Sequence, residues 1–396
     1  MSGMIDLERV RRETGVTQDR VYVNNARMSP SPRPVLEAVQ AIQERAWREG
    51  WMGLDQPGIM AGARAAVADL IGARGAEIAI TQSASYSINL IANGLDWRAG
   101  ENIVITELAY RSVAMSLLRA SKERGLEVRV VPAPDLLLRP EEFQRYLDNR
   151  TRLVVATMQP MFCGVPQPVA EIGRVVREHS DALYCINATQ AVGQRPIDVR
   201  AFDCDFLFGT ARKWLRGPRG IGFLYVREPL IPQLRPTNLG YPASLWTGPQ
   251  SYQIVESIDR LHLGDYPYPS LVELTEAVRY AMNVGVEQIY QRNQHLGKAA
   301  RLALREVPGL ELYDLTHGVM GTVPVNVRGV PAEAAVAKLE QRGIIACVAY
   351  EENALLGLRK IGQRELIRIS LHYYNTEAEI ERLATALGEI AIEGGR

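Results

Sequence analysis

Short apolar runs alternate with stretches of helical periodicity from about Glu77 to Leu230. The runs are EIAITQ (77–82), NIVITE (102–107), EVRVV (127–131), RLVVAT (152–157), ALYCIN (182–187), FLFG (206–209) and IGFLYV (221–226). Helical patterns over Tyr86–Ala92, Ser112–Lys122, Glu141–Asp148 and Pro168–His179 separate most of them. Brief, wholly apolar strands between helices predict a mostly parallel sheet covered on both faces. Only a Gly/Arg/Pro-rich segment joins the last two runs, so they are expected to be antiparallel or at an edge.

Upstream, residues 1–20 read as a short helix and linker, and VYVNNA (21–26) as an extended segment ending in turn residues. A helix is expected over Pro34–Glu49, a loop over Gly53–Gly62 and a helix over Ala63–Ile71. After Leu230 the rhythm breaks in NLGYPASLWTGP and HLGDYPYPS. Helices then follow over Ser270–Val284, Glu287–Leu304, Pro331–Gln341 and Thr376–Ile390. They are interspersed with short strands over Gly321–Val327, Ile344–Val348 and Leu366–Ser370, which reads as a smaller α+β domain. Glu379 stands at the capping-box position for Thr376.

Composition narrows the function. The 45 basic and 45 acidic residues cancel, which leaves no general field for nucleic acid or anionic membrane. No apolar run reaches membrane-spanning length and the charged N-terminus is unlike a signal peptide, so a cytoplasmic setting is expected. Cys163, Cys185, Cys204 and Cys347 are dispersed in apolar runs, and the five histidines show no ligand spacing, so no metal is expected. Neither a GxGxxG nor a GxxxxGK[ST] motif occurs, and no GxSxG elbow is present.

Lysine usage is unusual: Lys122, Lys213, Lys298, Lys338 and Lys360 are the whole set. Open α/β sheets place ligands beyond the carboxyl ends of their strands. Lys213 sits there, in FGTARKWLRGPRGIGFLYV, among Arg212, Arg216 and Arg219. Like charges lower a lysine pKa, and a neutral amine is what Schiff-base chemistry needs. The same segment also reads as a solvated basic loop. TQSASYSINL (81–90) offers hydroxyl caps and free N–H groups that suit a phosphate or plain helix capping. Asn187, Thr189 and Gln190 close another strand. Tyr110 could stack on a flat ring or pack on a helix. Arg368, in LIRISLHYYNTEAEI, suits a carboxylate or a surface ion pair. His372 lies close by in sequence and reads equally as structural.

INATQAVGQRPIDVRAFDCDFLFGTARKWLRGPRGIGFLYV, with VYVNNA, TQSASYSINL and RISLHYYNTEAEI, resembles the class V aminotransferase family from about residue 20 to the C-terminus. The resemblance implies an α/β, pyridoxal 5′-phosphate-dependent enzyme of fold type I. Residues 20–260 would form the large cofactor domain, and residues 1–19 and 261–396 a small domain carrying the carboxylate arginine. By position, Lys213 would carry the cofactor and move the Cα proton. Ala84 and Ser85 would bind the phosphate, Tyr110 would stack on the ring, and Gln190 would contact its hydroxyl. Arg368 would grip the substrate carboxylate with Asn25 nearby. A homodimer is implied, its active sites shared across the boundary through the HLGDYPYP loop.

The chain departs from the family's pattern at several positions. Asn187 stands where the family has the Asp that pairs with the ring nitrogen, which weakens the electron sink. The desulfurase cysteine is missing: its loop falls near Tyr350–Glu352, and Cys347 lies earlier, in a strand. Asp265 replaces a phosphate-binding Thr. Arg27 replaces a Gly, where it could meet a polar or acidic part of the substrate. The lysine region is most similar to the branch that cleaves cysteine conjugates, including hercynylcysteine sulfoxide lyase and the lincosamide-biosynthesis enzymes. This implies C–S lysis of an S-substituted cysteine by β-elimination. Decarboxylation-coupled oxidative deamination, transamination, epimerisation and a cofactor-free scaffold stand as alternatives.

Overall fold

The computed structural model describes residues 5–314 and 316–394. Its main sheet has seven strands, in the spatial order Ile78–Thr81, Gly222–Val226, Phe206–Thr210, Leu183–Asn187, Thr151–Thr157, Asn102–Thr106 and Glu127–Val131. Only the Gly222–Val226 strand runs against its neighbours. It lies between the first and third strands of that order, so it is antiparallel as expected but internal to the sheet. The pairing Leu153↔Leu183 through Thr157↔Asn187 brings polar strand ends level with one another. Most of these strands are buried along their whole length, because helices cover both faces.

The helices extend most of the predicted ones by a residue or two, with two larger differences. Gln56–Gly62, expected as loop, is the first part of a helix running Gln56–Ile71. Asp55 caps it by accepting from Gly58 N at 3.0 Å, and Pro57 occupies its first turn, where a missing N–H costs nothing. The segment near Glu141–Asp148 is a 3₁₀ stretch, Pro140–Tyr146. In the N-terminal segment, residues 1–4 lie outside the described residues; the helix is Leu7–Arg12.

The C-terminal part builds a four-stranded antiparallel sheet in the order Leu310–Leu312, Thr322–Val327, Glu365–Ser370, Cys347–Tyr350. The predicted strand Ile344–Val348 is divided at Ala346. Ile344–Ile345 pairs in parallel with Val21–Tyr22, and Cys347–Tyr350 pairs with the Arg368 strand. Helices Val286–Arg305, Ala332–Gln341 and Glu377–Gly394 share a core with this sheet. The expected capping box forms: Glu379 N donates to Thr376 Oγ1 at 3.2 Å and Thr376 N to Glu379 Oε2 at 3.1 Å. Leu271, Leu274 and Val278, from the helix Tyr268–Val284, join the core under the seven-stranded sheet. No helix among the described residues is long and apolar enough to cross a membrane.

Candidate active site

The carboxyl ends of the parallel strands converge on one cavity of about 600 Å³. Ser83, Ala84 and Ser85 line it from beyond the first strand, Tyr110 and Ser112 from beyond the Asn102 strand, and Thr157, Gln159 and Met161 from beyond the Thr151 strand. Asn187, Thr189 and Gln190 enter after the Leu183 strand, and Arg212 and Lys213 after the Phe206 strand. Six positions expected at a cofactor (Ala84, Ser85, Tyr110, Asn187, Gln190, Lys213) thus share one wall.

Lys213 is only 8% exposed. Burial, first, and then the charges of Arg212 and Arg368 hold its amine well below the usual lysine range, while Cys347 acts weakly the other way. Its Nζ lies 5.9 Å from the centroid of the Tyr110 ring. The loop carrying it is held rigidly. Arg216 N donates to Lys213 O at 2.9 Å, and Arg216 adopts a left-handed φ of 62°. Three bonds hold this unfavourable backbone: Arg216 Nη1 to Tyr373 OH (2.7 Å), Nη2 to Thr14 Oγ1 (2.6 Å) and Nε to Pro30 O (3.0 Å). Gly193 is needed for the same packing, since a Cβ there would lie 2.5 Å from Leu215 Cα, and its φ is +85°.

The helix Ala84–Gly94 begins at the cavity. Ser83 caps it by accepting from Tyr86 N at 3.1 Å, which leaves the N–H groups of Ala84 and Ser85 without helical partners. Ser85 Oγ donates to Ser112 Oγ at 2.9 Å. Gly222 lets the neighbouring strand approach this turn, because a Cβ would meet Ala84 N at 3.0 Å. Gln190 is tied at both ends: Trp214 Nε1 donates to its Oε1 (2.7 Å), and its Nε2 donates to Ala26 O (3.1 Å).

The residues expected at the substrate lie toward the small domain. Arg368 is 3% exposed; its Nη1 donates to Met161 O at 2.9 Å and its Nη2 to Cys347 Sγ at 3.1 Å. Its Nε is buried without a partner. Asn25 is fully buried, donating to Ser370 O (2.8 Å) and accepting from Ser29 Oγ and Tyr374 OH (2.7 Å each). That leaves it one free N–H, and its direct effect is to hold the strand that carries Arg368. Arg27 is exposed, and its carbonyl accepts from Arg212 Nη1. Asp265 does not line the Lys213 cavity; it borders a separate one with Thr81, Gln82 and Gly220. His372 is buried, with Nε2 2.8 Å from Trp214 O and Nδ1 3.2 Å from the Asn293 amide.

Sequence reading gave Gln159 and Ser112 no role at a site, and named Arg212 only as a charge beside Lys213. Gln159 and Ser112 lie just past strand ends, which is the signal that could have found them, and Arg212 immediately precedes Lys213. The Cys347–Arg368 contact depends on the register Cys347↔Arg368 between antiparallel strands, which no local pattern encodes.

An amine whose pKa is held well below the usual lysine range, in a polar cavity, suits an aldehyde cofactor, and the sheet around it is that of the pyridoxal 5′-phosphate enzymes of fold type I. Within that class the chain belongs to the class V aminotransferases, whose family model, described as aminotransferase class-V, matches residues 21–383. It is 28% identical over 393 residues to a probable cysteine desulfurase of Methanothermobacter thermautotrophicus, covering 97% of this chain and 98% of the relative. A cysteine desulfurase of Salmonella typhimurium is 28% identical over 403 residues, with the same coverage. Among solved structures, an apo cysteine desulfurase from Thermococcus onnurineus superposes with a TM-score of 0.91 at 25% identity, covering 99% of this chain and 100% of that one. A cystine C-S lyase in complex with its product cysteine persulfide gives 0.85 at 22% identity, over 95% and 99% of the two chains, and shares the fold.

The residues present fit the cofactor. Thr189 Oγ1 and Gln159 Nε2 are buried polar atoms with no partner in the fold, and both residues line the cavity. Such atoms cost free energy unless a ligand bonds to them.

Proposed function

We propose that the protein is a pyridoxal-phosphate-dependent lyase that cleaves the C–S bond of an S-substituted cysteine by β-elimination. The observation that carries this reading is the pairing of a buried Lys213, its amine pKa pushed down by that burial, with a substrate side of the cavity that has no mobile thiol. The segment Tyr350–Glu352, where the resemblance puts the desulfurase nucleophile, holds no cysteine. Cys347 is instead fixed in a strand, buried and bonded to Arg368. The relatives' names support a cysteine-type substrate, and the lysine segment's likeness to cysteine-conjugate enzymes supports the S-substituent.

In this reading Ala84 and Ser85 would hold the phosphate, Tyr110 the ring face, Asn187 the ring nitrogen and Gln190 the ring hydroxyl. When bound, the cofactor supplies an electron sink that acidifies the substrate Cα–H. Arg368 takes the substrate carboxylate with a two-pronged contact and fixes which Cα bond meets Lys213. Lys213 Nζ accepts the Cα proton, and the C–S pair leaves as thiolate. The thiolate picks up a proton, and the released aminoacrylate takes up water to give pyruvate and ammonium. Elimination tolerates the weak sink that Asn187 implies, because the departing sulfur shares the developing charge.

The exposed hairpin Ser244–Ile254 supports a homodimer. Trp246 is 84% exposed and Tyr252, opposite it on the same face, 61%, an aromatic pair that a second copy would cover.

The test is product analysis with S-alkyl cysteines and their sulfoxides. Pyruvate with an equal amount of thiol from the thioethers, or of sulfenic acid from the sulfoxides, supports the proposal, and Lys213→Ala is expected to lower the rate by about 10²–10⁴-fold. Alanine as the product, or turnover only with a keto-acid acceptor, overturns it.

A further inference from the structure

Arginines in this protein are usually paired. Arg177 reaches Asp203 and Asp205, Arg227 reaches the same two, and Arg301 bonds Asp314 at 2.5 Å. The mouth of the Lys213 cavity breaks that habit. Arg212, half-buried, lines the cavity, and the one hydrogen bond of its side chain is to the carbonyl of Arg27. The charges of Arg219, Arg27 and Arg368 bear on it, against the opposite pull of the Tyr110 hydroxyl, and among the described residues none of the four forms an ion pair with a carboxylate. A chain with equal numbers of acidic and basic residues thus leaves at this opening an arginine without an ion-pair partner, with three further arginine charges bearing on it.

Like charges brought together, one of them half-desolvated, destabilise the fold unless an anion joins them. Under the proposed function, the substrate α-carboxylate neutralises Arg368 alone, and the cofactor phosphate has its own amides at Ala84 and Ser85. Arg212, which lines the cavity, and Arg27, whose carbonyl it holds, are left without an anion. We infer that they receive a second oxyanion, a carboxylate or sulfo group, carried on the sulfur substituent of the substrate. The inference rests on the C–S lyase reading for the sulfur and on the arginine cluster for the charge. It turns a generic S-substituted cysteine into an acidic one, with guanidinium forks matched to planar or tetrahedral oxyanions.

The experiment compares S-carboxymethylcysteine with its near-isosteric neutral analogue, S-carbamoylmethylcysteine, on the holoenzyme. Calorimetry reads binding and a pyruvate assay runs in parallel. The acid is expected to bind about 10- to 100-fold more tightly than the amide, as hydrogen bonds to a charged group imply. In the Arg27→Gln/Arg212→Gln protein the preference should fall to within about two-fold through loss of the acid's affinity. The wild-type comparison decides the matter even if that variant does not fold. Equal affinities, no binding of either ligand, or a preference that survives in the folded double variant overturns the subsite. Pyruvate from both ligands at equal affinity would reject the anion subsite and leave the lyase reading standing. A preference for the acid without pyruvate would do the reverse.

Discussion

Thr189 donates its backbone N–H to Asn187 Oδ1 at 3.1 Å, and that bond decides which end of the Asn187 amide is available to the cavity. A backbone N–H needs an acceptor, so the oxygen is the end engaged and Nδ2 is left facing the cavity that Asn187 lines. A donor there pairs with the lone pair of an unprotonated ring nitrogen, whereas a carboxylate would pair with a protonated one. Asn187→Asp should therefore move the ¹⁵N shift of ring-labelled cofactor from the unprotonated to the protonated range, and transamination with a keto acid should rise relative to elimination. An identical, protonated shift in both proteins would show that Asn187 does not govern the ring nitrogen.

The parts of this site that were legible in the sequence are those in which one residue type at one strand end carries the chemistry. Lys213 stood out because the chain has so few lysines and because this one follows an apolar strand. Ser83 and Ser85 stood out because a hydroxyl-rich turn opens a helix, and the family resemblance added Ala84. The alternating apolar runs fixed the order of strands and helices, but not that the Gly222 strand would lie inside the sheet, since spatial order is set by long-range packing. The Gln56 helix was hidden because Pro57, Gly58 and Gly62 resemble loop composition, and the Asp55 cap that begins it is a single residue. Asn25 was placed near the substrate by position, but only three-dimensional contacts reveal that its amide is largely occupied by Ser29, Ser370 and Tyr374.

His372 makes the protein sensitive to acid in a defined window. Burial, first, and then Arg216 push its pKa down to about 3, against the hydrogen bond to Trp214 O, which pulls it up. It is enclosed by Trp214, Tyr373, Tyr374, Asn293 and the Arg216 guanidinium, so it stays neutral in the fold. The unfolded chain binds the proton near its ordinary value of 6.5. Between 6.5 and about 3 the unfolded state therefore holds more protons, and stability falls as pH falls. At pH 4.5 the loss from this one group is about 3 kcal/mol. In urea unfolding at pH 7 and pH 4.5, His372→Gln should lose less stability than wild type by roughly that amount. Equal losses would mean that His372 does not contribute. Because Trp214 follows Lys213 directly, the acid transition should also be accompanied by release of the cofactor.

The hairpin Ser244–Ile254 offers the last prediction. Its two short strands pair only with each other, with Trp246 opposite Tyr252. An isolated two-stranded ribbon is marginal in water, and aromatic side chains this exposed are costly unless something covers them. Tyr241, in the loop leading to the hairpin, is also 71% exposed. Asp265 lies outside its own chain's Lys213 cavity, in a loop that borders a second opening with Thr81 and Gly220. If two copies meet through this region, that loop can reach the neighbouring active site. Trp246→Glu combined with Tyr252→Lys should then convert the species seen by light scattering from dimer to monomer. Cofactor affinity should fall with it, although neither residue lines the Lys213 cavity. A wild-type monomer that binds cofactor fully, or a double variant that remains dimeric with unchanged cofactor affinity, would place the subunit boundary elsewhere and leave this hairpin as an uncovered surface ribbon.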